Sequence, residues 1–211
     1  KARIDACATN IVFSGRRIMF SKELSDIDRF VIDFVEILNK CRIKYVIVSG
    51  YLAILFGRPR ITEDIDVFIE NIDYSRFKKL FGAFVENDYE FLNSAKPEDL
   101  FYKYLSESLA IRAAKSKTVF PNVEIKLAKL KLDKMPLENP LMVVVNNKEI
   151  VLSPLELQIA FKLYLGSRKD VEDARFLFKL FENKVNTADI EKYAAELRCR
   201  SKLKFLGGSY E

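Results

Sequence analysis

Residues 44–70, KYVIVSGYLAILFGRPRITEDIDVFIE, constrain the fold more than any other stretch. Tyr45-Val46-Ile47-Val48 is a short apolar run rich in β-branched residues, the pattern of a buried strand. Ser49-Gly50 breaks it. Tyr51 to Phe56 reads as a short apolar helix ended by Gly57, and Arg58-Pro59-Arg60 as a basic turn. A second strand runs from Asp64 to Ile69. Side chains two apart on a strand share a face, so Asp64 and Asp66 project together while Ile65 turns into the core.

Adjacent carboxylates repel, and one of them tends to keep its proton unless a cation sits between them. A divalent ion, Mg²⁺ or Mn²⁺, suits such oxygen ligands. Arg58 and Arg60 nearby suit phosphate oxygens. The plainer reading makes Asp64 a turn cap and Asp66 a solvated strand residue. The strand, the small-residue turn and the Arg-x-Arg before the acids favour a metal and phosphate site.

The stretch resembles the nucleotidyltransferase superfamily typified by DNA polymerase β, with its Gly-Gly or Gly-Ser turn, short helix and Asp-x-Asp. Gly57, Arg60, Thr62, Asp64, Ile65 and Asp66 are similar to the G-x-x-R-x-T-x-D-I-D pattern of AbiEii-like (type IV toxin) members. Ser49 departs from the family's first glycine, and Gly50 is expected to supply the permissive backbone for close approach to a phosphate.

The chain has 211 residues, 49% hydrophobic and 31% charged, enough for one large domain or two small ones with a real core. It contains no histidine, which removes His-dependent triads and His-ligated zinc and leaves a carboxylate or lysine as any base. A net charge of +5 is compatible with a polyanionic partner such as tRNA. Cys7, Cys41 and Cys199 are odd in number and scattered, which points to a reducing cytoplasm rather than to disulfides or a CxxC metal site. No apolar run approaches a membrane span, and no signal peptide is evident.

Residues 1–20 lack a clear period and are expected to form an uncertain N-terminal arm, with a strand at Ile11-Val12-Phe13 as the alternative. Ser25 or Asp26 caps a helix to about Cys41 whose apolar stripe includes Phe30, Val31, Phe34, Val35 and Leu38. Helices are also expected over 74–87 and 97–106. Strands are expected near 109–112 and over 118–127. Glu124, inside the latter strand, is the candidate third acid, with Asp133 in the charged loop beyond it as the rival. Pro136 to Pro140 reads as a linker, and Leu141–Leu152 as a hairpin turning at Asn146-Asn147 that would hinge two halves.

The C-terminal part reads as helical, beginning with a Ser153 cap and Pro154 at the first helical position. LSPLELQIAFKLYLGSRKDVEDA is similar to the AbiEii-like segment in which a lysine helix leads into a lysine–aspartate helix, matching Lys162, Arg168, Lys169, Asp170 and Asp173. The resemblance implies that Lys162 contacts a triphosphate and that an aspartate positions it. Simple snorkelling of Lys162, and helix-dipole placement of Asp170 and Asp173, are the plainer readings.

The expectation is therefore an α/β (α+β) chain: a nucleotidyltransferase-fold mixed sheet over 21–152, then a helical domain over 153–211. Asp64, Asp66 and Glu124 would hold Mg²⁺. Ser49, Gly50, Arg60, Thr62, Lys162, Arg168, Lys169, Asp170 and Asp173 would serve an NTP substrate. The resemblance implies transfer to a tRNA 3′ end or a protein hydroxyl, in a toxin with a partner antitoxin. A non-catalytic binding or antitoxin-like protein of the same fold is the alternative.

Overall fold

The computed structural model describes residues 9–207, with side chains from residue 12 onward. Cys7, the start of the expected arm and the last residues of the tail lie outside the described residues. The elements run β1 (Thr9–Ser14), β2 (Arg17–Ser21), α1 (Asp26–Lys40), β3 (Tyr45–Ile47), α2 (Gly50–Leu55), β4 (Asp64–Ile69), α3 (Tyr74–Glu86) and β5 (Tyr89–Phe91). Next come α4 (Pro97–Asp99), continued by a π-helical turn at Leu100–Leu105, then β6 (Ile111–Lys115), β7 (Asn122–Leu127) and α5 (Lys131–Glu138). β8 (Leu141–Val145), β9 (Lys148–Leu152), α6 (Leu155–Leu165), α7 (Arg168–Leu180) and α8 (Thr187–Glu196) follow, ending in a 3₁₀ turn at Arg200–Leu206.

The strands form one nine-stranded mixed sheet, ordered β1-β2-β8-β9-β3-β4-β7-β6-β5. β2/β8, β3/β9 and β4/β7 are parallel pairs and the others antiparallel. The described part of the expected arm is a hairpin, and Ile18 and Phe20 of β2 are buried where that strand pairs with β8. Its place is set by pairing with β8, more than 100 residues later, which local sequence does not show.

The β8–β9 hairpin turns at Asn146 and Asn147, both with positive φ, as a two-residue hairpin loop prefers. It is no hinge: its strands lie inside the sheet between β2 and β3, with Val143, Val145, Ile150 and Leu152 buried. The linker expected at Pro136 to Pro140 is also corrected. Pro136 sits inside α5, whose start is fixed by Asp133 Oδ2 accepting the Leu130 N–H at 3.0 Å. Asp133 is thus a helix cap and is not among the acids grouped below.

α1 starts where its sequence predicts. The Ser25 hydroxyl accepts the Asp28 N–H, and Asp28 Oδ2 accepts the Ser25 N–H at 2.9 Å. Asp28, fully buried, also takes Lys22 at 3.0 Å and the Tyr51 hydroxyl at 2.9 Å, tying the end of β2 to α1 and α2. α6 begins one residue later than expected, at Leu155, and Ser153 makes no cap bond to it. A single apolar cluster runs from Ile18 to Ile190, and the Phe56 and Phe181 rings meet edge to face at 4.8 Å. The C-terminal helices are therefore packed directly on α2 behind the turn at Ser49.

Candidate active site

Strand register builds an acidic cluster. In β4, Ile65, Val67 and Ile69 are buried, while Asp64, Asp66 and Phe68 face the other way, half-buried. β7 lies parallel to β4 with Asp66 opposite Glu124, and β6 runs antiparallel to β7 with Arg112 opposite Glu124. Asp66, Glu124 and Arg112 thus form one cross-strand row. Oxygen atoms of Asp64, Asp66 and Glu124 all lie within 4.8 Å of one another. Burial, followed by the charge of Asp64, pushes the Asp66 carboxyl above its ordinary range, against a hydrogen bond from Ser49 that lowers it. The Thr62 hydroxyl donates to the Asp64 carbonyl at 3.1 Å and so fixes the start of β4.

The turn beside these acids differs from expectation in which residue is strained. Ser49, not Gly50, has positive φ (67°, with ψ −134°), a region that favours glycine. Gln158 of α6 holds it, with Nε2 donating to the Ser49 carbonyl at 2.9 Å and Oε1 accepting the Ser49 N–H at 3.2 Å. Gly50 serves a different purpose: a Cβ there would stand 2.9 Å from Nη2 of Arg60. The missing side chain makes room for that guanidinium.

A cationic cluster faces the acids. Arg58, Arg60 and Lys162 all pair with Asp173, which is completely buried, and Lys162 also donates to Asp170 at 2.7 Å. Arg58 reaches Glu172 as well, at 2.7 Å. Burial, then the like charge of Arg58, lowers the Arg60 pKa from its ordinary value. Burial also lowers that of Lys162, against its hydrogen bond to Asp170. The Lys162 side chain is 3% exposed, so it does not snorkel to water. Three cations share three carboxylates from α7, those of Asp170, Glu172 and Asp173.

Arg168 and Lys169 are not brought in. Arg168 is exposed and pairs with Glu172 along its own helix, and Lys169 contributes only its carbonyl, to Arg58. Sequence reasoning missed Gln158 and Arg112. A lone amide four residues before Lys162 was the available signal for Gln158; Arg112 becomes visible only once the β6/β7 register is known.

No family model and no curated protein matches the chain. Solved structures do. The chain is similar to an antigenic nucleotidyltransferase-like protein from Paracoccidioides brasiliensis, 18% identical over 83% of this chain and 91% of that one, with TM-score 0.50. It is also similar to the antibiotic-resistance factor ANT(2'')-Ia in solution, 12% identical over 85% of this chain and 96% of that one, with TM-score 0.55. ANT(2'')-Ia in complex with adenylyl-2''-tobramycin gives 12%, 82%, 97% and 0.54. At such identities the likeness establishes the architecture: the chain has a nucleotidyltransferase-like fold. Among the described residues no helix is long and apolar enough to cross a membrane.

The acid cluster fits a divalent cation. Its donors are all carboxylate oxygens within 4.8 Å of one another, hard ligands of the kind Mg²⁺ and Mn²⁺ take.

Proposed function

We propose that this chain is a metal-dependent nucleotidyltransferase, which transfers a nucleoside monophosphate from an NTP to an acceptor hydroxyl and releases pyrophosphate. The observation that carries the reading is the acidic trio of Asp64, Asp66 and Glu124 facing a cationic trio of buried Lys162 and partly buried Arg58 and Arg60.

Asp64, Asp66 and Glu124 would hold the metal, which when bound would polarise the α-phosphate and lower the acceptor hydroxyl's pKa. The acceptor oxygen bonds to the α-phosphorus as the bond from that phosphorus to the bridging oxygen breaks. The hydroxyl proton passes to Glu124, whose Oε1 makes no hydrogen bond among the described residues. The leaving pyrophosphate takes up negative charge beside Arg60 and Lys162, which stand ready because Asp173 and Asp170 hold them in place. At this turn the Ser49 N–H is taken by Gln158 and its hydroxyl by Asp66, so the Gly50 N–H is the donor it would offer a phosphate.

On the resemblance to AbiEii-like members, the cellular setting is a cytoplasmic toxin with a cognate antitoxin, and the acceptor is a tRNA 3′ end or a protein. Purified protein with Mg²⁺ or Mn²⁺, each α-labelled NTP and total tRNA tests the reaction. Label enters an acceptor with the wild type and not with the Asp64→Ala/Asp66→Ala double variant. Metal-independent RNA binding that survives Asp66→Asn, with no metal-dependent NTP binding, would instead support a non-catalytic binding protein.

A further inference from the structure

The sheet forks at the end of β3 remote from the acidic cluster. β9 is paired with β8 along its whole length and β3 with β4 along its own, but β3 and β9 share only the pair Ile47↔Leu152. Toward the start of β3 the two arms are unpaired, and a cavity of about 730 Å³ opens there. Tyr45 lines it from one arm, Val151 and its cross-strand partner Met142 from the other, and α5 supplies Lys134 and Leu137. Asp64 opens β4, whereas Glu70, just past the end of that strand, lines the cavity. Six residues of strand separate the two sites by roughly 20 Å. None of the acids or cations of the candidate active site lines this cavity.

Two independent features distinguish it from a packing gap. Tyr45 is 4% exposed, and its hydroxyl closes no hydrogen bond among the described residues. A buried phenol without a partner carries its desolvation cost uncompensated. Burial pushes its pKa up to about 12, and the Val151 backbone and Asn39 side chain beside it offset this only in part. The phenol therefore keeps its proton and has an O–H to donate. The second feature is the charge at the mouth. Exposed Arg42, Lys44 and Lys134 line the cavity with Glu70 and Glu138. Glu70 is already engaged, accepting from Arg76 at 2.9 Å and from the Lys44 N–H at 3.0 Å. Arg42 and Lys134 make no ion pair among the described residues. Positive charge thus rims a cavity whose half-buried Leu137, Met142 and Val151 present an apolar wall.

We propose that this cavity is a second ligand site, separate from the acidic cluster, and that it takes a small amphipathic anion. An apolar or aromatic body lies against Leu137, Met142 and Val151. The acidic group meets Arg42 and Lys134, and the Tyr45 hydroxyl donates to an acceptor atom of the ligand. A carboxylate and a phosphate share this chemistry. The site does not depend on the transferase reading above.

The test uses the whole chain and anilinonaphthalene sulfonate, an aromatic anion whose fluorescence rises when its rings leave water. The probe is expected to bind saturably. Naphthoate and naphthyl phosphate should displace it, and whichever does so at the lower concentration identifies the acidic group. Neutral naphthol should be about tenfold weaker than the better of these, the scale of a lost charge-assisted hydrogen bond, and cationic naphthylmethylamine should not compete. Val151→Trp, which fills the cavity, should abolish binding. Arg42→Glu/Lys134→Glu changes two exposed side chains, so the melting temperature should hold while the probe binds about tenfold or more weakly. Tyr45→Phe should weaken binding severalfold, yet without ligand it should melt no lower than the wild type, because an unpartnered hydroxyl is gone. Binding indifferent to both Val151→Trp and the double charge reversal would place the probe elsewhere and overturn the proposal. So would displacement by the amine as good as by the anions, or a Tyr45→Phe variant that melts lower, which would mean that the hydroxyl is satisfied within the fold. A dimer in sedimentation that Val151→Trp dissociates would show a second copy of the chain as the occupant and would overturn it as well.

Discussion

Gln158 binds both backbone polar groups of Ser49 across 109 residues of sequence, donating to its carbonyl at 2.9 Å and accepting its N–H at 3.2 Å. Gln158 is also one helical turn before Lys162, so the same face of α6 holds the turn and supplies the lysine. Lys162 and the phosphate turn are thereby kept at a fixed spacing.

Gln158→Ala removes that clamp from a serine in a glycine-favoured conformation. Thermal unfolding should show a loss of roughly 1–3 kcal/mol, with a buried N–H and carbonyl left unsatisfied and the backbone strain unopposed. Adding Ser49→Gly should recover part of the loss, because glycine takes positive φ without strain. A double variant no more stable than Gln158→Ala alone would show that the strain is not at Ser49.

Gly50→Ala should separate stability from binding. The added methyl meets only the far end of Arg60, which can swing aside, so the melting temperature should change little. Arg60 would leave its place beside Asp173, and NTP affinity measured by calorimetry should fall roughly tenfold, the scale of one charge-assisted hydrogen bond.

Asp173 holds three cations from a fully buried position. Asp173→Asn leaves Arg58, Arg60 and Lys162 crowded with only Asp170 and Glu172 to oppose them. Chemical denaturation should report a loss of about 3–5 kcal/mol, the usual cost of breaking a buried pair from one side.

Asp170 sets an acid limit. Burial alone would raise its pKa, but hydrogen bonds from Lys162 and Ser167 outweigh this and hold the carboxyl below its ordinary 3.8. Its stabilising contribution is therefore present above that value and is lost as the pH falls through the folded-state pKa. Asp170→Asn should make the acid limb of a stability-versus-pH curve shallower while lowering stability at neutral pH.

The acids of β4 were legible in sequence because strand alternation needs only local pattern. Lys162 was legible because a lone charge in an apolar helix stands out. Glu124 followed from an apolar-acid-apolar strand, but its pairing with Asp66 depends on a β4/β7 register fixed by side chains far apart in the chain. The same holds for Arg112. The hairpin of β1 and β2 was hidden for a related reason: its place is set by pairing with β8, more than 100 residues later, rather than by any period of its own. The room that Gly50 leaves for Arg60 was not legible, because close packing leaves no trace in local sequence. The likeness to solved structures agrees with the fold that the superfamily resemblance implies; the superfamily's activity and the narrower AbiEii-like resemblance stay within the proposal.

The central claim is that three carboxylates and three cations together bind a metal-bound NTP. Isothermal titration of each NTP in the presence and absence of Mg²⁺, for the wild type and Asp66→Asn, tests it most directly. Binding that requires Mg²⁺ and is lost in Asp66→Asn, with that variant at least as thermally stable as the wild type because a repelling carboxylate is gone, is the predicted result. NTP binding that is equal with and without Mg²⁺, and unchanged in Asp66→Asn, would contradict the account.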